Sequence, residues 1–562
     1  MKIQNYIVVT FMFFSTLSTQ AEVQLSWAQS TLNTMTLREK IGQLFVIAAA
    51  SCFDQPEESL ASAMAQSAQD MSVENVEKMI CEYHVGGLLF LFTSTPDMQV
   101  EFMNHYYSLS KYPMWTFQDS EWGISMRLYD TVRFPHNMTL GAIQNNELLY
   151  EFGKEVGRQC KVIGVDMNLA PVIDVNNNPA NVVISDRSLG ENPEMVAQKA
   201  IFIMYGLHDG GTGACAKHFP GHGDTNIDSH LELPIIEHDK QRLHDVELLP
   251  FKRMIAAGVC AIMNAHLQVP IYDSREHTPS SLSKAIVTDL LKIELGFEGL
   301  IITDGLGMKA VSKYYEPGNL ELEAYLAGND ILLSSPRVPE AVKKIEEAVQ
   351  DGRIPLEDLN KRVLKILTAK EKLNVHHHKP IDKTQLGAQL HTPHAYALKK
   401  RLYQEAITLV QNKQNMIPVK ALTNTAVLQI GGTPESVFTK IVTGTQPCLS
   451  LYLSAHESKD MCDRAAKQLE SFDVVIVGIF DMNKFESKQF GLSNNTLDLL
   501  HTLKAYGKRI IVTLFGNPYS LKYFKHEDAV IMAYEDDEDA QEAAAQVLFG
   551  QIQAKGKLPV TA

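Results

Sequence analysis
Eight short apolar runs, rich in β-branched residues, recur between stretches of helical periodicity within the first 333 residues: 44–49, 85–92, 114–119, 165–169, 213–218, 261–266, 300–304 and 330–333. Runs that are apolar throughout mark strands buried on both faces. Strands that alternate with helices imply a parallel sheet covered by those helices. Eight such units suggest an α/β architecture built on a (β/α)8, TIM-like barrel, although an open doubly wound sheet has the same local pattern. Several runs finish on or beside a polar side chain: Asp119, Asn168, His218, His266 and Asp304. In a barrel the C-terminal strand ends carry the active site, so these five side chains would converge on one rim. Polar residues also end strands for no functional reason; five with catalytic side-chain types mean more than one.

A Lys-, Leu- and Ala-rich helical pattern at 361–373 closes this part of the chain. The segment 376–395, which opens on His376-His377-His378, reads as a solvated linker, although three adjacent His could also bind a metal. The expected division is a signal peptide over 1–21, a catalytic barrel over 22–375, and a C-terminal α/β sandwich domain over 396–562. Apolar runs at 425–430, 474–480, 509–515 and 529–534 supply strands for that smaller sheet domain.

Lys2 precedes an apolar run at 6–14, and small and polar residues follow up to Ala21. This is the pattern of a secretory signal peptide cleaved after Ala21. The run is shorter than the roughly 20 residues a membrane helix needs. No later stretch is long enough, so no integral span is expected after cleavage. The expected location is secreted or periplasmic. Residues 22–562 then carry 50 − 66 = −16 formal charges, one Lys fewer than the −15 of the whole chain. With 45% apolar and 21% charged residues, composition is that of an ordinary globular chain. The acidic balance and the lack of a basic stripe speak against a nucleic-acid partner. The seven Cys are Cys52, Cys81, Cys160, Cys215, Cys260, Cys448 and Cys462. Cys52 with Cys81, and Cys448 with Cys462, could each close a surface loop, and the odd count leaves a thiol over. Cys160, Cys215 and Cys260 sit in apolar contexts that suit small core residues. No CxxC pair is present, which argues against a cysteine zinc site.

The densest chemical signal is the stretch 217–230, Lys-His-Phe-Pro-Gly-His-Gly-Asp-Thr-Asn-Ile-Asp-Ser-His. Its Pro and two Gly make it a loop at a strand end. His218, His222, Asp224, Asp228 and His230 are chemically able metal ligands, but Lys217 would oppose a nearby cation. A capped loop with incidental His is a second reading. The third is proton transfer. Asp228 lies two residues from His230, so a turn can bring its carboxylate onto one imidazole nitrogen, raise its pKa and keep imidazolium available as an acid. The second signal is Asp304, delivered by the apolar run 300–303 onto a Gly-containing turn. Alone it reads as a helix cap; with a proton donor on the same rim it fits glycosidic bond cleavage.

The loop resembles the KH(F/I)PGHG…DSH signature of glycoside hydrolase family 3 β-N-acetylhexosaminidases. Val85-Gly86-Gly87-Leu88, the stretch 169–175, Asp186-Arg187-Ser188 and Met263-Asn264-Ala265-His266 are similar to further motifs of that family, and 406–410 with Ile417-Pro418 to the entry into its second domain. The resemblance implies a retaining, two-step, exo-acting β-N-acetylglucosaminidase acting on peptidoglycan fragments (muropeptides) or chitooligosaccharides. It needs no cofactor and no metal. Asp304 matches the nucleophile. His230, paired with Asp228, matches the acid/base. Asp119, Arg127, Arg187, Lys217 and His218 match sugar-binding positions. Asp119-Ser120-Glu121-Trp122-Gly123 departs from the DQEGG turn of the family, and Asp304-Gly305 from its paired Asp. A β-glucosidase of the same family and a non-catalytic secreted sugar-binding barrel are the alternatives. The sequence carries no signal for the oligomeric state.

Overall fold
The computed structural model describes residues 25–49, 71–225, 232–420, 424–445 and 447–561. The proposed signal peptide, Cys52, Asp228 and His230 lie outside the described residues.

Eight parallel strands follow one another around a barrel: β1 (Phe45–Ala49), β2 (Gly87–Phe90), β3 (Trp115–Gln118), β4 (Met167–Asn168), β5 (Gly213–Phe219), β6 (Ala261–Asn264), β7 (Leu300–Thr303) and β8 (Leu332–Leu333). Each pairs with its sequence neighbours and β1 pairs with β8. The ring closes through a parallel bridge between Ile302 and Ile331, reinforced by Thr303 N–H donating to the Ile331 carbonyl. The expected barrel is therefore the observed one, and all eight strands fall on the runs read from sequence. Side chains alternate as a strand requires. Ala214, Ala216, Ile262 and Ile301 pack in one apolar cluster, and Cys215, Met263 and Ile302 in another.

Local sequence explains the helical layer. The helix Pro193–Gly210 starts on an Asn192 cap with Pro in its first turn and stops at Gly211, whose φ of 100° is open to glycine. It packs closely on the helix Asn146–Val162. A Cβ on Gly153 would lie 2.2 Å from the Ile203 carbonyl oxygen, so glycine is what permits the approach.

The floor of the barrel is built around a buried cation. Lys370, on the helix Leu356–Lys372, is fully buried. Its ammonium donates to Gln43 Oε1, the Gly86 carbonyl and the Pro113 carbonyl, each at 2.8 Å. These acceptors lie just before β1, β2 and β3, so one side chain ties the last barrel helix to three strands. Parts of the tract after this helix dock on the barrel, while His377, Lys379, Pro380 and 382–385 are exposed. His378 Nε2 lies 2.9 Å from Asp166 Oδ1, the His378 ring stacks on Tyr107, and the His376 ring stacks on Trp27. His376 and His378 thus pack on the barrel, whereas His377 is exposed.

The C-terminal part forms a six-stranded sheet in the order β11-β10-β12-β13-β14-β9. Its strands are β9 (Thr408–Asn412), β10 (Thr425–Ile430), β11 (Leu449–Leu453), β12 (Val474–Ile479), β13 (Arg509–Leu514) and β14 (Ala529–Met532). All pairs are parallel except β14 with β9. The edge strands β9 and β11 were absent from the strand runs read in sequence. The chain end then returns to the barrel, where Lys557 N–H donates to the Ala142 carbonyl and Glu191 N–H to the Pro559 carbonyl. Cys81, Cys448 and Cys462 are free thiols, so no 448–462 bridge forms; Cys160 and Cys215 are buried as expected, and Cys260 is partly buried.

Replacing Lys370 with Met should strand its acceptors in a dry site. We expect a cost of about 3 kcal/mol, read as a lower thermal unfolding temperature, with the rim chemistry intact in the folded fraction. An unchanged unfolding temperature would show that the floor does not depend on this cation.

Candidate active site
The polar strand ends do share a rim, but with divided labour. Asn168 serves the backbone: its side chain accepts from Ser120 N–H at 3.0 Å and donates to the Ser120 carbonyl at 3.1 Å. This fixes the turn that follows β3 and so aims Asp119. Lys217 and His218 leave from β5, and Asp304 follows β7.

Asp119 and Glu121 sit among three cations. Lys217 Nζ lies 2.7 Å from Asp119 Oδ1 and 2.9 Å from Glu121 Oε1. Arg127 Nη2 lies 2.7 Å from Asp119 Oδ2. Arg187 grips Glu121 with two donors, Nε at 3.0 Å and Nη2 at 2.7 Å. Lys217 and Glu121 are buried, with relative exposures of 1% and 3%. Burial works against the Glu121 charge, but Arg187 and Lys217 outweigh it and draw the carboxyl down to about 2. For Asp119 burial is likewise overcome, by Lys217 and Arg127, and its carboxyl lies well below the ordinary range. Both acids are therefore fixed acceptors, and the cations keep donors at the same place. Sugar hydroxyls and amides need that combination.

His218 belongs to a tier behind this one. Its Nδ1 lies 2.7 Å from Asp174 Oδ2, and Asp174 Oδ1 also accepts from the backbone N–H groups of His218 at 3.2 Å and His222 at 2.6 Å. Burial opposes the Asp174 charge, yet His218 and its other donors hold its carboxyl below the ordinary value. His222 is buried, bonds Thr225 Oγ1 through Nδ1 at 2.8 Å, and is pushed by that burial down to about 4, so it is neutral near neutral pH.

Asp304 is half-buried at the start of the turn after β7, where its Oδ1 accepts from Gly305 N–H at 2.7 Å. His266 supports the same turn: it is fully buried, bonds Ser281 Oγ through Nδ1 at 2.7 Å, and its Nε2 lies 3.0 Å from the Gly305 carbonyl. Burial pushes the Cys215 thiol well above its ordinary range; the charges of Asp119 and Asp304 add to the rise and that of Lys217 opposes it. The structure thus gathers Asp119, Arg127, Arg187, Lys217, His218 and Asp304 on one rim. Asp228 and His230 fall on the stretch that is not described.

Sequence reasoning passed over Glu121 and Asp174 as site residues and named His222 only as an able metal ligand. Glu121 stands two places after Asp119, so its signal was present but belonged to a turn that departs from the family pattern. Asp174 was quoted only as part of a motif. Among the described residues, Asp224, His238 and Glu247 bring possible metal-ligand atoms within 4.8 Å of one another. The Arg242 guanidinium already serves them, 3.0 Å from Glu247 and 3.6 Å from Asp224.

The depressed Glu121 pKa has a sign. Unfolded, the carboxyl titrates at its ordinary 4.5; folded, at about 2. The stabilisation is complete above 4.5 and is lost as pH falls through the folded value. The unfolding temperature should therefore drop across this acid window, and Glu121→Gln should make the drop shallower; an identical slope in the variant would refute the assignment. Lys217→Met should cost about 3–5 kcal/mol, because it leaves the buried Glu121 and the half-buried Asp119 short of a cation.

A glycosyl hydrolase family 3 N-terminal domain model matches residues 36–369, and the C-terminal domain model of that family matches 342–562. "Beta-hexosaminidase A" of Pseudoalteromonas piscicida is 28% identical over 551 residues, which cover 86% of this chain and 90% of that protein. A "Beta-N-acetylglucosaminidase/beta-glucosidase" of Cellulomonas fimi is 24% identical over 422 residues, 73% of this chain and 71% of its own. Among solved structures, a glycoside hydrolase family 3 beta-N-acetylglucosaminidase from Paenibacillus sp. str. FPU-7 superposes with a TM-score of 0.76 at 28% identity, covering 94% of this chain and 99% of that one. The barrel rim lined by carboxylates and cations is that of a glycoside hydrolase, and the chain belongs to glycosyl hydrolase family 3.

Proposed function
We propose that this protein is an exo-acting, retaining β-N-acetylglucosaminidase that removes terminal β-linked GlcNAc from peptidoglycan fragments or chitooligosaccharides. The observation that carries the reading is the sharing of one rim by Asp304 and the Asp119–Lys217–Glu121 network. The names of the relatives, at modest identity, support the choice of sugar.

The terminal sugar binds with its hydroxyls on Asp119 and its polar oxygens on the Arg127 and Lys217 donors. An Asp304 carboxylate oxygen attacks the anomeric carbon. The bond from that carbon to the leaving oxygen breaks, and the leaving oxygen takes a proton from the His230 imidazolium. This gives a glycosyl ester on Asp304 and a neutral imidazole. A water then attacks the same carbon, gives its proton to His230 and releases the Asp304 carboxylate. Asp228 holds the imidazole in one tautomer and stabilises its charged form. These roles of His230 and Asp228 rest on their spacing in sequence. The Gly305 N–H and the His266-supported turn keep the attacking carboxylate oriented.

Release of nitrophenol from aryl β-GlcNAc should fall by more than a thousandfold in Asp304→Asn, about 4 kcal/mol of barrier. Retention of turnover would remove Asp304 from the chemistry. Release from an aryl β-glucoside but not from aryl β-GlcNAc would replace this reading with a β-glucosidase; sugar binding without turnover of either would make it a binding protein. We also propose export to a secreted or periplasmic location, on the strength of residues 1–21. Mass spectrometry of the exported protein should find Glu22 as the first residue, and a retained Met1 would count against it.

A further inference from the structure
Arg187 reaches Glu121 from the loop 176–191, and much of what holds that loop comes from the C-terminal domain. Tyr519 Oη donates to the Asn176 carbonyl at 2.7 Å and accepts from Asn176 Nδ2 at 3.0 Å. Asn517 Nδ2 donates to Ser185 Oγ at 3.2 Å. Ser185 has φ of 36°, a left-handed backbone that a non-glycine residue keeps only when its surroundings impose it. It stands two residues before Arg187. Further along, Glu191 accepts from Thr561 N–H at 2.8 Å. Tyr519, Asn517 and Ser185 are all buried.

The partner of Arg187 is held from the same side. Trp122, next to Glu121, packs on the His136 ring with centroids 4.3 Å apart. His136 N–H donates to Glu535 Oε1 at 2.8 Å, and its ring Nδ1 lies 3.2 Å from Asp186, the neighbour of Arg187. Both ends of the Glu121–Arg187 pair thus abut groups of the second domain, although neither end belongs to it.

We propose that the C-terminal domain acts as a clamp that sets the Glu121–Arg187 geometry, with Asn517 and Tyr519 as positioning residues for sugar affinity. This rests on the sugar-binding reading of Arg187. A misaimed Arg187 would leave Glu121 and Lys217 in altered register and weaken ground-state binding, while the groups around Asp304 stay in place.

Asn517→Ala and Tyr519→Phe should raise KM for the aryl glycoside the enzyme turns over by about tenfold, with kcat changed less than about threefold. Arg401→Ala serves as a control, because its pair with Glu151 also joins the domains but is exposed; it should leave KM as it is. In an Arg187→Ala background the Asn517→Ala change should add nothing. Hydrogen exchange supplies a readout free of catalysis: the Arg187 and Ser188 amides, bonded within the loop, should exchange at least about tenfold faster in Asn517→Ala than in the wild type or in Arg401→Ala. Wild-type exchange in Asn517→Ala would overturn the clamp, as would a KM effect that persists without Arg187. A wild type inactive on aryl β-GlcNAc would instead defeat the substrate reading, and the exchange experiment would still decide the clamp.

Discussion
A buried ammonium between one buried and one half-buried carboxylate is the constraint on which the rim depends. Taking Lys217, Asp119 and Glu121 out of water is costly, and their attraction offsets that cost only at close range. The separations of 2.7 and 2.9 Å meet the requirement, and Arg127 and Arg187 complete the balance from the outer side. Three cations then face two acids, so no acid is driven to take up a proton. The site enters the reaction charged and hydrogen-bonded, with little left to reorganise when a sugar arrives.

The same logic, inverted, governs the opposite end of the barrel. Among the described residues Lys370 forms no ion pair and is held by three neutral oxygens, so burial pulls its pKa down to about 7 against the opposing charge of Asp166. A cation held by neutral acceptors joins strands together but offers nothing to a substrate. The barrel therefore keeps stability at its N-terminal face and chemistry at its C-terminal face. His378 lies with the first of these, since it bonds the Asp166 that precedes β4.

Legibility in sequence followed burial. The eight barrel strands were readable because each is buried on both sides and so is apolar without interruption. β11 escaped because it is an edge strand. Its sequence Leu-Ser-Leu-Tyr-Leu alternates, and Leu449 and Tyr452 are exposed. β9 escaped because only Thr408 of its five residues is fully buried. The site followed another rule. Residues at strand ends, such as Asp119 and Asp304, could be picked out from the runs that precede them. The roles of Glu121, Asp174 and His222 could not, because they lie in whom these residues touch.

The amino-acid sequence by itself determined the order of strands and helices, the side chains at each strand end, and the family to which the loop signature belongs. These are local properties: period, run length and residue type. Only the tertiary structure decided which cation serves which acid, that Asn168 and His266 brace turns, and that the second domain reaches round to the loop of Arg187. Asn517 and Ser185 are 332 positions apart, and their contact exists only because the two domains pack together. No pattern along a chain encodes such a distance; it follows from how two folded surfaces fit.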